Sequence, residues 1–336
     1  MKKWKFLTTI AALSLALTAC GKEEAKETPA APATPEAPVE ESLYPLTVKS
    51  TIASTESETA GTIAFEDVTF EEMPDNIVVF DFGFLDTLDA LGVEGVTGVV
   101  KASLPSNLKE KYNTDEYTNI GTLKDPLFED IAALEPDVIF ISGRQSGFYE
   151  ELSEIAPVVF VGTQQDAYWD TFLASVDIAA EMFDKQEEKE AYLAKYDDAL
   201  KQINELAGTF DNSLVTMFNE GKLSGFATNS RFGYMYDVYG FKPVTEDIEA
   251  SSHGSNFGYE ALLEFDPQVI FVIDRTTATT GATSTIETDF PNEIVQKTQA
   301  YQNNRVIYLD GPLWYVGGGG LTSELAKINE ILAELK

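Results

Sequence analysis

Phe128-Glu129-Asp130-Ile131-Ala132-Ala133-Leu134-Glu135-Pro136-Asp137-Val138-Ile139-Phe140-Ile141 reads as a helix that begins near a glutamate, is closed by a proline and is followed by a buried strand. The stretch recurs as Tyr259-Glu260-Ala261-Leu262-Leu263-Glu264-Phe265-Asp266-Pro267-Gln268-Val269-Ile270-Phe271-Val272. Glu260 and Pro267 each stand 131 residues after Glu129 and Pro136. A long-period repeat of helix and apolar strand predicts an α/β arrangement in both halves of the chain. The same offset joins Arg144 to Arg275, each three residues beyond its strand. In open α/β sheets ligands bind beyond the carboxyl ends of the strands, so two facing lobes would bring both arginines into one cleft.

Outward from the repeat, Ile77 to Phe80, Val96 to Val100, Val158 to Val161, Leu214 to Phe218 and Val306 to Leu309 read as further buried strands. Phe84–Leu91 reads as a helix between the first two. Residues 170–208 hold no proline, and no glycine before Gly208, while Tyr192, Leu193, Tyr196, Leu200, Ile203 and Leu206 fall at helical spacing. A helix of about 20 residues spans about 30 Å, the width of a small domain. The expected architecture is two α/β lobes joined by a single long helix, with the ligand cleft between them. The expected division is a signal peptide over 1–19, a lipid anchor and disordered tether over 20–45, lobes over 46–169 and 209–336, and the linking segment over 170–208.

The chain has 336 residues, enough for about two domains, and a formal net charge of −33. No basic face is gathered anywhere, which excludes a nucleic-acid partner. One histidine and one cysteine exclude a zinc finger, an intramolecular disulfide and a cysteine-ligated iron–sulfur cluster. The cysteine, Cys20, ends a leader in which Lys2, Lys3 and Lys5 precede an apolar run from Phe6 to Leu17. That leader is a secretory signal, too short for a membrane span. Leu17-Thr18-Ala19-Cys20 resembles the lipobox of bacterial lipoproteins, which implies cleavage before Cys20 and lipid on its sulfur. Residues 21–44 are rich in Ala, Pro, Glu, Thr and Lys, the composition of a tether.

Scarce residues locate the chemistry. Four arginines, Arg144, Arg231, Arg275 and Arg305, stand against nineteen lysines. Surface charge is supplied by lysine, so arginine marks places that need a planar fork for carboxylates, phenolates or phosphates. Arg231 lies in a glycine-bearing loop with aromatic neighbours, whereas Arg305 flanks a strand at the surface. The only histidine, His253, sits in a Ser/Gly-rich loop just before the second repeat helix, and Trp314 and Tyr315 precede the run Gly317 to Gly320. No Lys-Ser/Thr follows those glycines, so they are not a phosphate loop. With one histidine and no Gly-x-Ser-x-Gly, a hydrolase is disfavoured and no enzymatic activity is expected.

The lipobox, the tether, "FEDIAALEPDVIF", "NSRFGYMYDVYGF", the His253 loop, "FDPQVIFVIDR" and "LWYVGGGG" together resemble the ferric-siderophore-binding lipoproteins of bacterial ABC importers. The resemblance runs from about Leu43 to the C-terminus and is closest to the branch that binds catecholate siderophores, including petrobactin- and enterobactin-type ligands. It implies that Arg144, Arg231 and Arg275 receive catecholate oxygens, with Trp314 beside them. It implies that His253 and Tyr315 complete the iron shell when a bis-catecholate supplies four donors, and that Glu129 and Glu260 meet permease arginines. The implied protein is a monomer without an intrinsic cofactor, anchored through Cys20 on the outer face of a Gram-positive cell membrane. Its partners are the ferric siderophore and the permease subunits. Other chelates, among them haem, cobalamin and ferric hydroxamates, are the alternative ligands. A haem site would want an axial His or Met in an apolar slot, unlike the His253 loop.

Overall fold

The computed structural model describes residues 43–57, 60–245, 248 and 254–335. The signal segment, Cys20, nearly all of the tether and His253 lie outside the described residues.

β1 (Leu46–Val48), β2 (Ser54–Ser57), β3 (Gly61–Ala64) and β4 (Val68–Phe70) form two small antiparallel ribbons, β1 with β4 and β2 with β3. β5 (Ile77–Val79), β6 (Val96–Val99), β7 (Thr118–Asn119), β8 (Val138–Ile141) and β9 (Val158–Phe160) form a parallel sheet in the order β7-β6-β5-β8-β9. β10 (Ser213–Asn219), β11 (Lys222–Phe226), β12 (Ser255–Phe257), β13 (Val269–Asp274) and β14 (Val306–Leu309) form a second sheet in the order β12-β11-β10-β13-β14. Counted within its own half, each sheet therefore runs 3-2-1-4-5. The direction of travel reverses between β5 and β8 in one and between β10 and β13 in the other.

The repeat extends to backbone detail. Glu135 and Asp266, the equivalent residues before Pro136 and Pro267, both adopt positive φ, 50° and 40°. Each breaks its helix, Phe128–Ala133 or Tyr259–Phe265, just before a proline that cannot continue it. Where the halves differ, the sequence reading named no strand between Phe218 and Val269. Instead β11 pairs antiparallel with β10 and β12 pairs antiparallel with β11. The cause is local: Glu220 and Gly221 have φ of 50° and 81°, the pair of positive values a two-residue hairpin turn requires.

β8 and β13 are fully buried, which explains their unbroken apolar sequences. Phe140 of β8 packs on Phe84 of the helix Phe82–Ala90 with ring centroids 4.4 Å apart. Each large apolar side chain removed from water in this way contributes about 1.5–3 kcal/mol before entropy is counted.

Two helices, Tyr168–Met182 and Gln186–Ala207, lie between the sheets, and the second is the long linking helix. They part at Asp184, whose φ is 52°. The second has 22 residues, and its buried face is Tyr196, Ala199, Ile203 and Ala207. Against it lies the C-terminal helix Leu321–Glu334, with the Tyr196 hydroxyl donating to Leu321 O at 2.6 Å. That last helix also packs on Phe82–Ala90, an element of the first sheet's half. The chain thus returns to the N-terminal half at its end, a contact that periodicity does not reveal.

Candidate functional site

The segments after β8, β11 and β13 place the arginines. Arg144 follows β8 at the reversal point of the first sheet, where ligands of open α/β sheets sit. Its turn is held by buried Gln145, whose Oε1 accepts from Ser142 N at 3.2 Å and whose Nε2 donates to Leu123 O at 2.5 Å. Asp81 lies two residues beyond β5 on the same edge and caps the helix Phe82–Ala90 through Phe84 N at 2.8 Å. Burial raises its carboxyl pKa, while hydrogen bonds and the nearby Arg144 act in the opposite sense.

Arg275 opens the helix Arg275–Thr280 at the reversal point of the second sheet, and Asp274 caps that helix through Thr277 N at 3.1 Å. Its Nη1 donates to Asn219 Oδ1 at 3.1 Å, at the end of β10, and its Nε donates to the Tyr315 hydroxyl at 2.9 Å. Arg231 follows Asn229, whose φ is 56°, and Ser230, whose hydroxyl bonds to Ala227 O. The Arg231 guanidinium lies 4.3 Å from the Tyr315 ring centroid and donates to Tyr315 O. It is therefore stacked on, and bonded to, the same residue that Arg275 holds by its hydroxyl.

Arg144, Arg231 and Tyr315 line one cavity of about 210 Å³ together with Tyr168, Tyr234 and Trp314. Arg275 reaches it through Tyr315. Burial alone would push the Tyr315 phenol up, but the Arg275 hydrogen bond and the positive charges of Arg231, Arg275 and Arg144 bring it below its usual value. Burial and the charge of Arg144 both lower the Arg231 pKa. Three cations thus converge on one phenol in an otherwise acidic chain, a setting that favours an anion bearing phenolate-type oxygens.

Trp314 contributes to the cavity wall, but it is 2% exposed and its indole N–H is turned away to Glu330 Oε2 at 2.6 Å. Arg305 stands apart, with its guanidinium 5.1 Å from the Phe210 ring centroid. Glu129 and Glu260 are both exposed in the first turns of the two repeat helices. Among the described residues no group of three His, Cys, Asp or Glu side chains is placed to hold a metal ion, and no helix is long and apolar enough to cross a membrane.

Sequence reading missed Tyr168, Glu324 and Lys327, which meet directly beneath the cavity with Tyr234, one of the aromatic neighbours of Arg231. A signal existed for two of them. Glu324 and Lys327 fall on the same stripe of the last helix as Leu321, Ile328 and Ile331, where an amphipathic pattern calls for apolar residues.

Comparison with known proteins places this arrangement. The petrobactin-binding protein YclQ of Bacillus subtilis is 41% identical over 260 residues, covering 77% of this chain and 81% of that protein. Its crystal structure superposes with a TM-score of 0.78 and covers 87% of this chain and 98% of that one. The ferric-anguibactin-binding protein FatB of Vibrio anguillarum is 30% identical over 264 residues, 77% of this chain and 82% of that protein. The periplasmic catecholate-siderophore-binding protein VctP of Vibrio cholerae matches with a TM-score of 0.72 at 30% identity, over 86% of this chain and 99% of its own. A family model described as periplasmic binding protein matches residues 77–313, from β5 into the helix Gly311–Tyr315, and the chain belongs to that family.

Proposed function

We propose that the protein captures a ferric catecholate siderophore in this cavity and delivers it to an ABC permease for iron uptake. The observation that carries the reading is the convergence of Arg144, Arg231 and Arg275 around Tyr315. Iron(III) held by three doubly deprotonated catecholates is a trianion, and three guanidiniums match it. Charge-assisted hydrogen bonds of about 1.5–3 kcal/mol each are a large share of the ~12 kcal/mol that nanomolar affinity requires. The names of YclQ, FatB and VctP support the same ligand class.

The cavity is smaller than the roughly 300–1,000 Å³ of typical ligand pockets, so it takes the metal centre and leaves the siderophore scaffold outside. With a bis-catecholate, the lowered phenol of Tyr315 supplies a hard oxygen donor to iron, and His253 a second donor. Glu129 and Glu260, exposed on equivalent helices, contact the permease. Lipid on Cys20 and the acidic tether hold the protein, as a monomer, on the outer face of the membrane.

Fluorescence titration of a chain lacking residues 1–20 tests the reading, since Trp314 lines the cavity. Nanomolar quenching by ferric bis- and tris-catecholates, with none by haem or a ferric hydroxamate, is the expected result. Quenching confined to haem or hydroxamate would remove it.

A further inference from the structure

The charged groups at the cavity extend one layer below the arginines. Glu324 and Lys327 lie on the buried face of the C-terminal helix, 0% and 1% exposed, with Nζ to Oε1 at 2.7 Å. A buried ion pair is weak evidence for stability, because apolar residues of similar volume often serve as well. The geometry points to another role. Lys327 Nζ has three acceptors, Glu324 Oε1 at 2.7 Å, Tyr168 Oη at 3.3 Å and Tyr234 Oη at 3.4 Å, one for each N–H of an ammonium. It also lies 5.3, 5.5 and 5.6 Å from the ring centroids of Trp314, Tyr234 and Tyr168, within cation–π range. All three rings line the cavity.

The pair has a direction. Gly318 lines the cavity above it, and a methyl group at Gly318 would lie 2.5 Å from Lys327 Nζ but 3.4 Å from Glu324 Oε1. At Gly318 the positive end is therefore the nearer to the cavity wall. The negative end is held behind it by Tyr168 Oη at 2.5 Å and Gly319 N at 2.8 Å. Burial pulls the Lys327 amine pKa down, Glu324 pushes it back up, and Arg231 lowers it again. A lone ammonium here would be opposed by its surroundings, and Glu324 is the group that makes it tolerable.

We propose that Lys327 is a specificity-determining residue: with Glu324 it forms a fixed dipole beneath the cavity whose positive end favours the more highly charged of two chelates of equal shape. The proposal rests on the reading of the cavity as a receptor for metal catecholates. It differs from a fourth arginine in adding field at the ligand without adding net charge to the site.

Calorimetric titration of the full chain tests it with a hexadentate tris-catecholate chelator loaded with iron(III), a trianion, or with titanium(IV), a dianion of the same shell. Lys327→Met and the double variant Glu324→Gln/Lys327→Met are expected to weaken the trianion by about tenfold and the dianion by a smaller factor. The double variant leaves no unpaired charge and decides the matter if Lys327→Met does not fold. Equal losses for both chelates in the double variant would overturn the proposal. Failure of the unaltered protein to bind either chelate would instead overturn the catecholate reading, and this inference with it.

Discussion

Asp86 caps a helix that begins more than two hundred residues later: its Oδ2 accepts the backbone N–H of Ser323 at 2.9 Å, and that of Thr322 at the same distance. The Thr322 hydroxyl and Asn107 Nδ2, at 3.1 Å, complete the set on Oδ1. Asp86 is 2% exposed, so removing its carboxylate strands buried donors at the start of the last helix. Asp86→Ala should cost about 2 kcal/mol, read as a lower urea midpoint at unchanged slope. An unaltered midpoint would mean that water replaces the cap.

Gly83 makes a second contact between the same segments. A Cβ there would sit 2.4 Å from Gly318 O and 2.7 Å from Gly319 C, both backbone atoms that cannot rotate aside. Gly83→Ala should therefore destabilise by about 1–3 kcal/mol and weaken ligand binding, because the displaced strand of glycines lines the cavity. Thermal unfolding and the fluorescence titration together check both parts.

Tyr315 should be distinguishable by its titration. Burial raises Tyr168 and Tyr234 well above the usual phenol value of 10.0, whereas Tyr315 is lowered by its arginines. A depressed folded-state value means that ionisation adds stability, fully present above the unfolded value and lost as pH falls through the folded one. The thermal midpoint of the wild type relative to Tyr315→Phe should be level near neutrality and rise as pH climbs toward 10. The tyrosinate ultraviolet band of the wild type should begin earlier than that of the variant.

Alanine at Arg144, Arg231 or Arg275 should weaken a ferric tris-catecholate by about tenfold to a hundredfold, the effect of losing a charge-assisted contact. Arg305→Ala, stacked on Phe210 away from the cavity, should leave affinity within about twofold. Equal losses at all four positions would dissolve the distinction between them.

Glu129→Ala and Glu260→Ala should keep full ligand affinity while lowering iron uptake in cells, with the double variant lowest. Both carboxylates are exposed, so a fall in affinity would remove the permease assignment.

Much of this was legible because apolar runs such as Val138 to Ile141 and Val269 to Ile273 admit few readings: they are strands buried on both faces. The arginines were legible because they are few. β11 and β12 were not, since a tight turn at Glu220-Gly221 reverses the chain without altering its periodicity. The two small ribbons over residues 46–70 escaped because their residues are largely half-exposed and their strands only three or four residues long. The floor of the cavity escaped for a different reason. Glu324 and Lys327 sit on the apolar stripe of the last helix, but nothing in that pattern tells that the tyrosines of two distant segments close over them.

The return of the last helix to the first one sets the order in which the molecule can be completed. Until residues 317–334 have arrived, Gly83 lacks the backbone it packs on, Asp86 lacks the helix it caps, and the apolar surface of Phe82–Ala90 that packs on Leu321–Glu334 stays open to water. Contacts between residues so far apart along the chain form late, because loop closure must precede any gain. A chain still being synthesised, or cut short by a dozen residues, therefore cannot lock its N-terminal half. The final turns of sequence act as the keystone of an arch whose first stones were laid at residue 77.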